Sequence, residues 1–278
     1  MVRDVLVVIG TGGMGRAIAR RQGGGRHVLL ADFDEAALRE FAGTMEDEGH
    51  LVTTAPVDVG SRESVAELAA KAASLGSVTQ IVHTAGLSPS QAPVAAILRV
   101  DLVGVGLVLE EFGRIVARGG AGVVIASMGG YLGVLSAEHE TALATTAVDD
   151  LLGLPFLASD AVTDPGFAYA LAKRANHLQV RAASGAWGAR GARINSISPG
   201  IISTPMGRQE LASESGAGMR AMIDMSATGR AGTPDDIAAA AAYLLGPDAS
   251  FVTGTDLLVD GGVVAAVAAA AVRAAAHS

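Results

Sequence analysis

The sequence predicts an α/β fold, a doubly wound, seven-stranded parallel sheet in one domain spanning 1–278, with a helical insert before the sixth strand. Three observations carry this expectation. The chain has 278 residues, 50% of them hydrophobic, enough to bury one large core and short for two α/β domains. Short β-branched runs alternate with longer Ala/Leu-rich segments of helical period, as in a parallel sheet covered on both faces. One stretch, about 133–164, carries helical pattern and acidic residues where a strand-to-helix connection is normally short.

Taken in order, the expected strands are Asp4 to Ile9, His27 to Ala31, Leu51 to Val57, Val78 to His83, Gly122 to Ser127, Arg193 to Ser198 and Asp256 to Val259. The first is too short for a signal-peptide core and runs straight into glycines, so it reads as a buried strand. Between them, Asp34 to Glu48 opens on acidic residues and Ser61 to Leu75 opens as Ser-Arg-Glu-Ser, both good helix starts. Further helices are expected over about Pro93 to Ala117, over about Tyr169 to Trp187, and from Thr233-Pro234-Asp235-Asp236, an N-cap followed by proline at the first helical position. The apolar tail from Val263 is broken by Arg273 after about ten residues, short of the roughly 20 a membrane span requires. It reads as an Ala-rich helix.

The formal net charge is -8, which leaves no basic footprint for nucleic acid and points to small-molecule partners. Cysteine is absent, which excludes disulfides, thiolate catalysis and cysteine-ligated metals. No metal site is expected. With neither an export signal nor a membrane span in view, the expected location is the cytoplasm.

The first strand ends in Gly10-Thr11-Gly12-Gly13-Met14-Gly15 and passes into Arg16-Ala17-Ile18-Ala19, a GxGxxG turn in the strand-to-helix setting of a Rossmann dinucleotide site. Such glycines let the backbone approach a pyrophosphate, whose charge is stabilised by N–H groups and the positive helix end. The next strand ends at Asp32, about 20 residues on, where a carboxylate accepts hydrogen bonds from the adenosine ribose and repels the extra phosphate of NADP. NAD is therefore the expected cofactor, with Phe33 beside the ribose. A competing reading makes Asp32 only a cap for the following helix, with Asp34 its rival for either role. Asp58 and Val59 after the third strand, and Thr84, Ala85 and Gly86 after the fourth, stand at strand ends where open sheets bind ligands. His83 is read as a packing or hydrogen-bonding residue in preference to an acid or base.

Tyr169 and Lys173 are spaced i, i+4 and share one helix face. A phenol is a poor base at neutral pH, and a nearby ammonium favours its ionised form. The pair follows Ile125-Ala126-Ser127 and precedes Asn195-Ser196-Ile197-Ser198-Pro199-Gly200-Ile201-Ile202-Ser203-Thr204-Pro205. With these companions the chain resembles the short-chain dehydrogenase/reductase family from Val5 to Gly262. The resemblance implies that Tyr169 is the general acid/base, that Lys173 holds the nicotinamide ribose and lowers the tyrosine pKa, and that Ser127 hydrogen-bonds the substrate oxygen. It places Pro199, Gly200, Ile201, Thr204 and Met206 around the cofactor, with Ile201 and Thr204 on the carboxamide.

Four departures stand out. The glycine turn is one residue shorter than the family's, and the family's Asn-Asn-Ala-Gly is here His83-Thr84-Ala85-Gly86. The family's catalytic asparagine corresponds to Asp101, which either keeps a role beside Lys173 through its backbone carbonyl while adding a charge, or is an ordinary helical Asp paired with a neighbour. The stretch between Ser127 and Tyr169 is long because of the insert, and bacterial 3α-hydroxysteroid dehydrogenase/carbonyl reductases resemble the chain both there and from Gly246 to Gly262.

The expected activity is NAD(H)-dependent interconversion of a secondary alcohol and a ketone on a lipophilic or cyclic substrate, steroid-like compounds included. The site would lie under an insert that roofs Tyr169, beside a loop carrying Met206, Met219, Met222 and Met225, which either line it or fill packing gaps between helices, with no charged cluster at its mouth. The alternatives are an NADP(H)-dependent carbonyl reductase using Arg16, or a non-catalytic dinucleotide sensor, the latter suggested by Asp101 and the altered Asn-Asn-Ala-Gly. A homo-oligomer is expected from the resemblance, a dimer or a tetramer. An insert that blocks the face of the Tyr169 helix would leave a dimer through the final helix and strand.

Overall fold

The computed structural model describes residues 3–90, 92–133 and 135–276. Met1, Val2, Gln91, Val134, His277 and Ser278 lie outside the described residues, so the insert expected over 133–164 is described apart from Val134. Seven strands, β1 (Asp4–Ile9), β2 (His27–Asp32), β3 (Leu51–Pro56), β4 (Ser77–His83), β5 (Ala121–Ile125), β6 (Arg193–Pro199) and β7 (Asp256–Val259), form one sheet in the order β3-β2-β1-β4-β5-β6-β7. Every neighbouring pair is parallel.

The helices are α1 (Gly13–Gln22), α2 (Glu35–Asp47), α3 (Arg62–Leu75), α4 (Val94–Ile97), α5 (Gly104–Ile115), α6 (Gly129–Leu132), α7 (Ala137–Thr145), α8 (Pro165–Ala189), α9 (Pro205–Ala212), α10 (Gly216–Met225), α11 (Pro234–Leu245) and α12 (Val263–Ala275). Strand alternation divides the core. Val5, Val7 and Ile9 of β1 pack with α3, α5 and α8, while Leu6 and Val8 pack with α1, α2 and α11. All five are fully buried, each contributing about 1.5–3 kcal/mol by leaving water. Local signals fix the helix starts. Asp34 accepts from the N–H groups of Ala36 and Ala37 and so takes the cap of α2, leaving Asp32 at the end of β2; Thr233 and Asp236 form a capping box on α11.

Two elements differ from expectation. The helix expected over Pro93 to Ala117 is interrupted by a π-helical turn, Leu98–Val103. The widened turn leaves carbonyls for side chains to satisfy: Asn176 Nδ2 donates to the Asp101 carbonyl at 2.7 Å and Gln179 Nε2 to that of Leu102 at 3.1 Å. Helix α8 begins a turn before Tyr169, because Asp164 caps it and Pro165 fits the first helical position.

The insert consists of α7 and two 3-10 turns, Val148–Gly153 and Pro155–Leu157. Leu143, Val148 and Leu151 are buried in the core shared with α5 and α8, Arg174 of α8 pairs with Glu140 at 2.7 Å, and a Cβ on Gly106 of α5 would lie 2.8 Å from Val148. Most of the insert thus sheathes the flank of α5 and α8 instead of roofing Tyr169. Its second half faces α4 across a cavity of about 570 Å³ that ends at Pro165, a turn before Tyr169. Among the described residues no helix is long and apolar enough to cross a membrane.

Candidate active site

After β1 the chain turns through Gly10 at φ +98°, a conformation that side chains disfavour. The turn is tight: a Cβ on Gly10 would meet the Ala85 nitrogen at 2.5 Å, one on Gly13 would meet the Thr204 methyl at 2.9 Å, and one on Gly15 would run into the Gly10 carbonyl. Gly12 differs, for nothing lies within 4 Å of its Cβ position. It caps α1, so open space meets unpaired N–H groups and the positive helix end, which fits a pyrophosphate. Thr84 Oγ1 donates to the Gly10 carbonyl at 2.7 Å, so the shortened turn closes on a residue that departs from the family's Asn-Asn-Ala-Gly.

A cavity of about 520 Å³ opens above these strand ends. Gly10, Gly12, Asp32, Phe33, Asp58, Val59, Thr84, Ala85, Gly86 and Met206 all line it. This concave, largely apolar space fits a dinucleotide. Phe33 is 80% exposed, an aromatic face available to an adenine. Asp32 reaches the cavity but is also engaged: its Oδ2 accepts from the Thr11 N–H and, at 2.8 Å, from the Thr11 hydroxyl, while Oδ1 accepts from the Asp34 N–H at 3.0 Å. Arg16, the alternative phosphate ligand, donates from Nε to the Thr11 carbonyl at 2.8 Å, stands 3.7 Å from Glu40 and lies over the Phe41 ring.

Other expected cofactor residues lie off the lining of this cavity. Met14 and Gly15 lie within α1, with Met14 packed against the core. Gly200 and Ile201 line a separate cavity of about 200 Å³ next to Asp260 and Gly261, because Gly200 N–H donates to the Val259 carbonyl and the Ile201 carbonyl accepts from Gly232. The Pro199 carbonyl accepts from Met128 N–H. Thr204 caps α9 and packs on Gly13.

Ser127 and Tyr169 meet around Gly129. Its N–H donates to Ser127 Oγ at 3.1 Å, and a Cβ there would stand 3.4 Å from Ser127 Oγ and 3.5 Å from the Tyr169 ring. Lys173 is 4% exposed, with Nζ 5.4 Å from the Tyr169 ring centroid, 3.5 Å from the Ile125 carbonyl and 4.0 Å from Asp101 Oδ1. Gly86 joins this group to the large cavity, since its Cβ position lies 2.8 Å from Asp101 Oδ1 and 3.3 Å from Lys173 Nζ.

Asp101 is fully buried, and Oδ1 accepts from Leu87 N–H at 3.0 Å. Burial pushes its carboxyl up to about 6 against the opposing pull of Lys173 and the Leu87 N–H. Of the two readings of this residue, the side chain faces the lysine and the carbonyl is capped by Asn176. His83 is buried, with its pKa lowered to about 3 by burial and by Lys173. It is neutral at physiological pH.

Sequence reasoning passed over Asn176 and Thr11, which act through space, and Glu210 of α9. Ser90 Oγ donates to Glu210 Oε1 at 2.6 Å, so a carboxylate does stand between α9 and the loop after β4. The only available signal for Asn176 was its place three residues after Lys173.

Comparison with known proteins bears on the family. A family model described as enoyl-(acyl carrier protein) reductase matches residues 8–152 and 150–264. Short-chain dehydrogenase/reductase bsc3 of Alternaria brassicicola is 45% identical over 271 residues, 95% of this chain and 97% of its own. The 3-alpha-hydroxysteroid dehydrogenase/carbonyl reductase of Comamonas testosteroni is 26% identical over 82% of this chain and 88% of its own. The crystal structure of levodione reductase superposes with a TM-score of 0.76 at 26% identity, covering 95% of this chain and 98% of that one. The chain belongs to the short-chain dehydrogenase/reductase family, oxidoreductases that act on CH–OH groups.

Proposed function

We propose that this protein is an NAD(H)-dependent enzyme that interconverts a secondary alcohol and a ketone on a lipophilic or cyclic substrate. The observation that supports the reading is the approach of Ser127 and Tyr169 to one another at Gly129, with Lys173 beside the Tyr169 ring and Gly86 next to Lys173 on the lining of the cavity that Asp32 also lines. When bound, the nicotinamide supplies or accepts the hydride. In the reducing direction Ser127 Oγ orients the substrate oxygen by a hydrogen bond and the Tyr169 hydroxyl delivers the proton to that oxygen; in oxidation Ser127 keeps its role and ionised Tyr169 takes the proton back. Lys173 places positive charge beside the phenol that gives up the proton.

Asp32 supports NAD over NADP, because it lines the cavity and its negative charge would repel a ribose phosphate, and the alternative cation Arg16 is already engaged by Glu40 and the Thr11 carbonyl. The apolar cavity lined by Val94, Leu98, Leu157 and Val162 supports a lipophilic substrate. So do relatives named for steroid alcohols and for levodione.

The test is oxidation of NADH in the presence of cyclic diketones and steroid ketones, with NADPH and small charged keto acids run in parallel. Steady turnover with NADH on the cyclic ketones is expected, reduced about 10²-fold or more in Tyr169→Phe. Faster turnover with NADPH would overturn the cofactor assignment, turnover confined to the charged acids would overturn the substrate class, and none with any ketone would overturn the enzyme.

A further inference from the structure

Asp101 and Lys173 form a pair of opposite charges sealed from solvent beside the proton-transfer group, with 0% and 4% of their surfaces exposed. The pair is loose: Asp101 Oδ1 is 4.0 Å from Lys173 Nζ and accepts a hydrogen bond from the Leu87 N–H. Asp101 Oδ2 has no hydrogen-bond partner among the described residues. We propose that Asp101 is a positioning residue that acts through Lys173, its carboxylate offsetting the ammonium that faces Tyr169 and so setting the pH range of proton transfer. The proposal rests on the reading of Tyr169 as the proton-transfer group.

A buried ammonium that stands alone acts on a neighbouring phenol with its whole charge, whereas one backed by a carboxylate acts as a dipole whose field falls off faster. Lys173 is the charge that acts on Asp101. From β4 comes His83, which burial and Lys173 keep neutral. On α8, His177 lies a turn beyond Lys173, and burial lowers its pKa. Within the π-helical turn Arg99 reaches instead to Asp58 at 3.5 Å. Glu110 and Glu111 of α5 and Asp149 of the insert are gathered on Arg62. The Asp101 backbone is fixed separately, through the bond from Asn176 to its carbonyl. Asparagine at 101 can accept from Leu87 with the same shape, so it removes the charge and leaves the hydrogen bond.

The experiment compares pH profiles of kcat/KM for alcohol oxidation in wild type and Asp101→Asn, with Asp101→Ala as the variant that also loses the bond to Leu87. Oxidation requires Tyr169 to take a proton, so its ionised form must be present. With the compensating carboxylate gone, the acidic limb of the Asp101→Asn profile is expected to move to lower pH by about one unit, while the thermal midpoint stays near that of wild type. Superimposed profiles would overturn the proposal, as would an Asp101→Asn enzyme inactive at every pH.

A second readout needs no turnover. The onset of the Tyr169 phenolate band, taken as the ultraviolet difference against Tyr169→Phe in each background, is expected at lower pH in Asp101→Asn, and an unchanged onset would overturn the proposal. Wild type without turnover would count against the proposed function alone, because the phenolate measurement still decides the role of Asp101.

Discussion

His83 shows how one buried side chain couples the site to the stability of the whole chain. Burial and the nearby Lys173 lower its pKa to about 3, well below the roughly 6.5 of an unfolded histidine. As pH falls below that unfolded value, the unfolded chain takes up a proton that the folded chain refuses, so stability is fully present above about 6.5 and is lost progressively toward the folded pKa. Thermal midpoints measured from pH 7 to pH 5 are therefore expected to fall less steeply in His83→Asn than in wild type. Equal slopes would place the acid sensitivity elsewhere, with His177, also lowered by burial, as the next group to replace. At this scale motifs in the sequence singled out Ser127, Tyr169 and Lys173, which the structure brings near one another, and Asp32 and the glycine turn, which it sets along one cavity. Thr11 and Asn176 were illegible because each acts on a partner far along the chain, Asp32 in one case and Asp101 in the other. Gly200 and Ile201 were named from the family pattern, and the structure sets them on the lining of a smaller cavity together with Asp260.

Among the elements, α9 and the loop after β4 border the site from two sides, since Met206 and Leu87 both line the large cavity. Glu210 ties them together through Ser90. Burial pushes the Glu210 carboxyl up, but hydrogen bonds from Ser90 and Ser88 outweigh it and hold its pKa below the ordinary value. The tie is thus fully present at neutral pH and is lost only as pH falls through that lowered value. Glu210→Ala is expected to speed proteolytic cleavage within 205–225 and to raise KM for the ketone several-fold, with little change in NADH affinity. Unchanged cleavage would show that α9 is held by other contacts. The strands were legible because a strand buried on both faces is written as a continuous apolar run. The π-helical turn was not, because Leu98 to Val103 carries ordinary helical pattern and its widening depends on Asn176 and Gln179 reaching across from α8.

For the molecule as a whole, one seven-stranded parallel sheet was legible, because short apolar runs alternate with helical segments along the chain. The course of the insert was not: its apolar residues announce burial without saying against what. Leu143, Val148 and Leu151 bury against α5 and α8, covering a flank that the family resemblance made a candidate subunit interface. The other end of the chain has the opposite character. Helix α12 is almost entirely Val and Ala, yet only Val263 on it is buried, Val272 is 70% exposed, and Phe251 ahead of β7 is fully exposed. Apolar surface left exposed along α12 favours association, and a symmetric pairing through α12 closes as a dimer. Light scattering is accordingly expected to give twice the mass of one chain, and Val272→Arg to shift that mass toward the monomer. A wild-type tetramer would mean that the flank of α5 and α8 still forms an interface despite the insert.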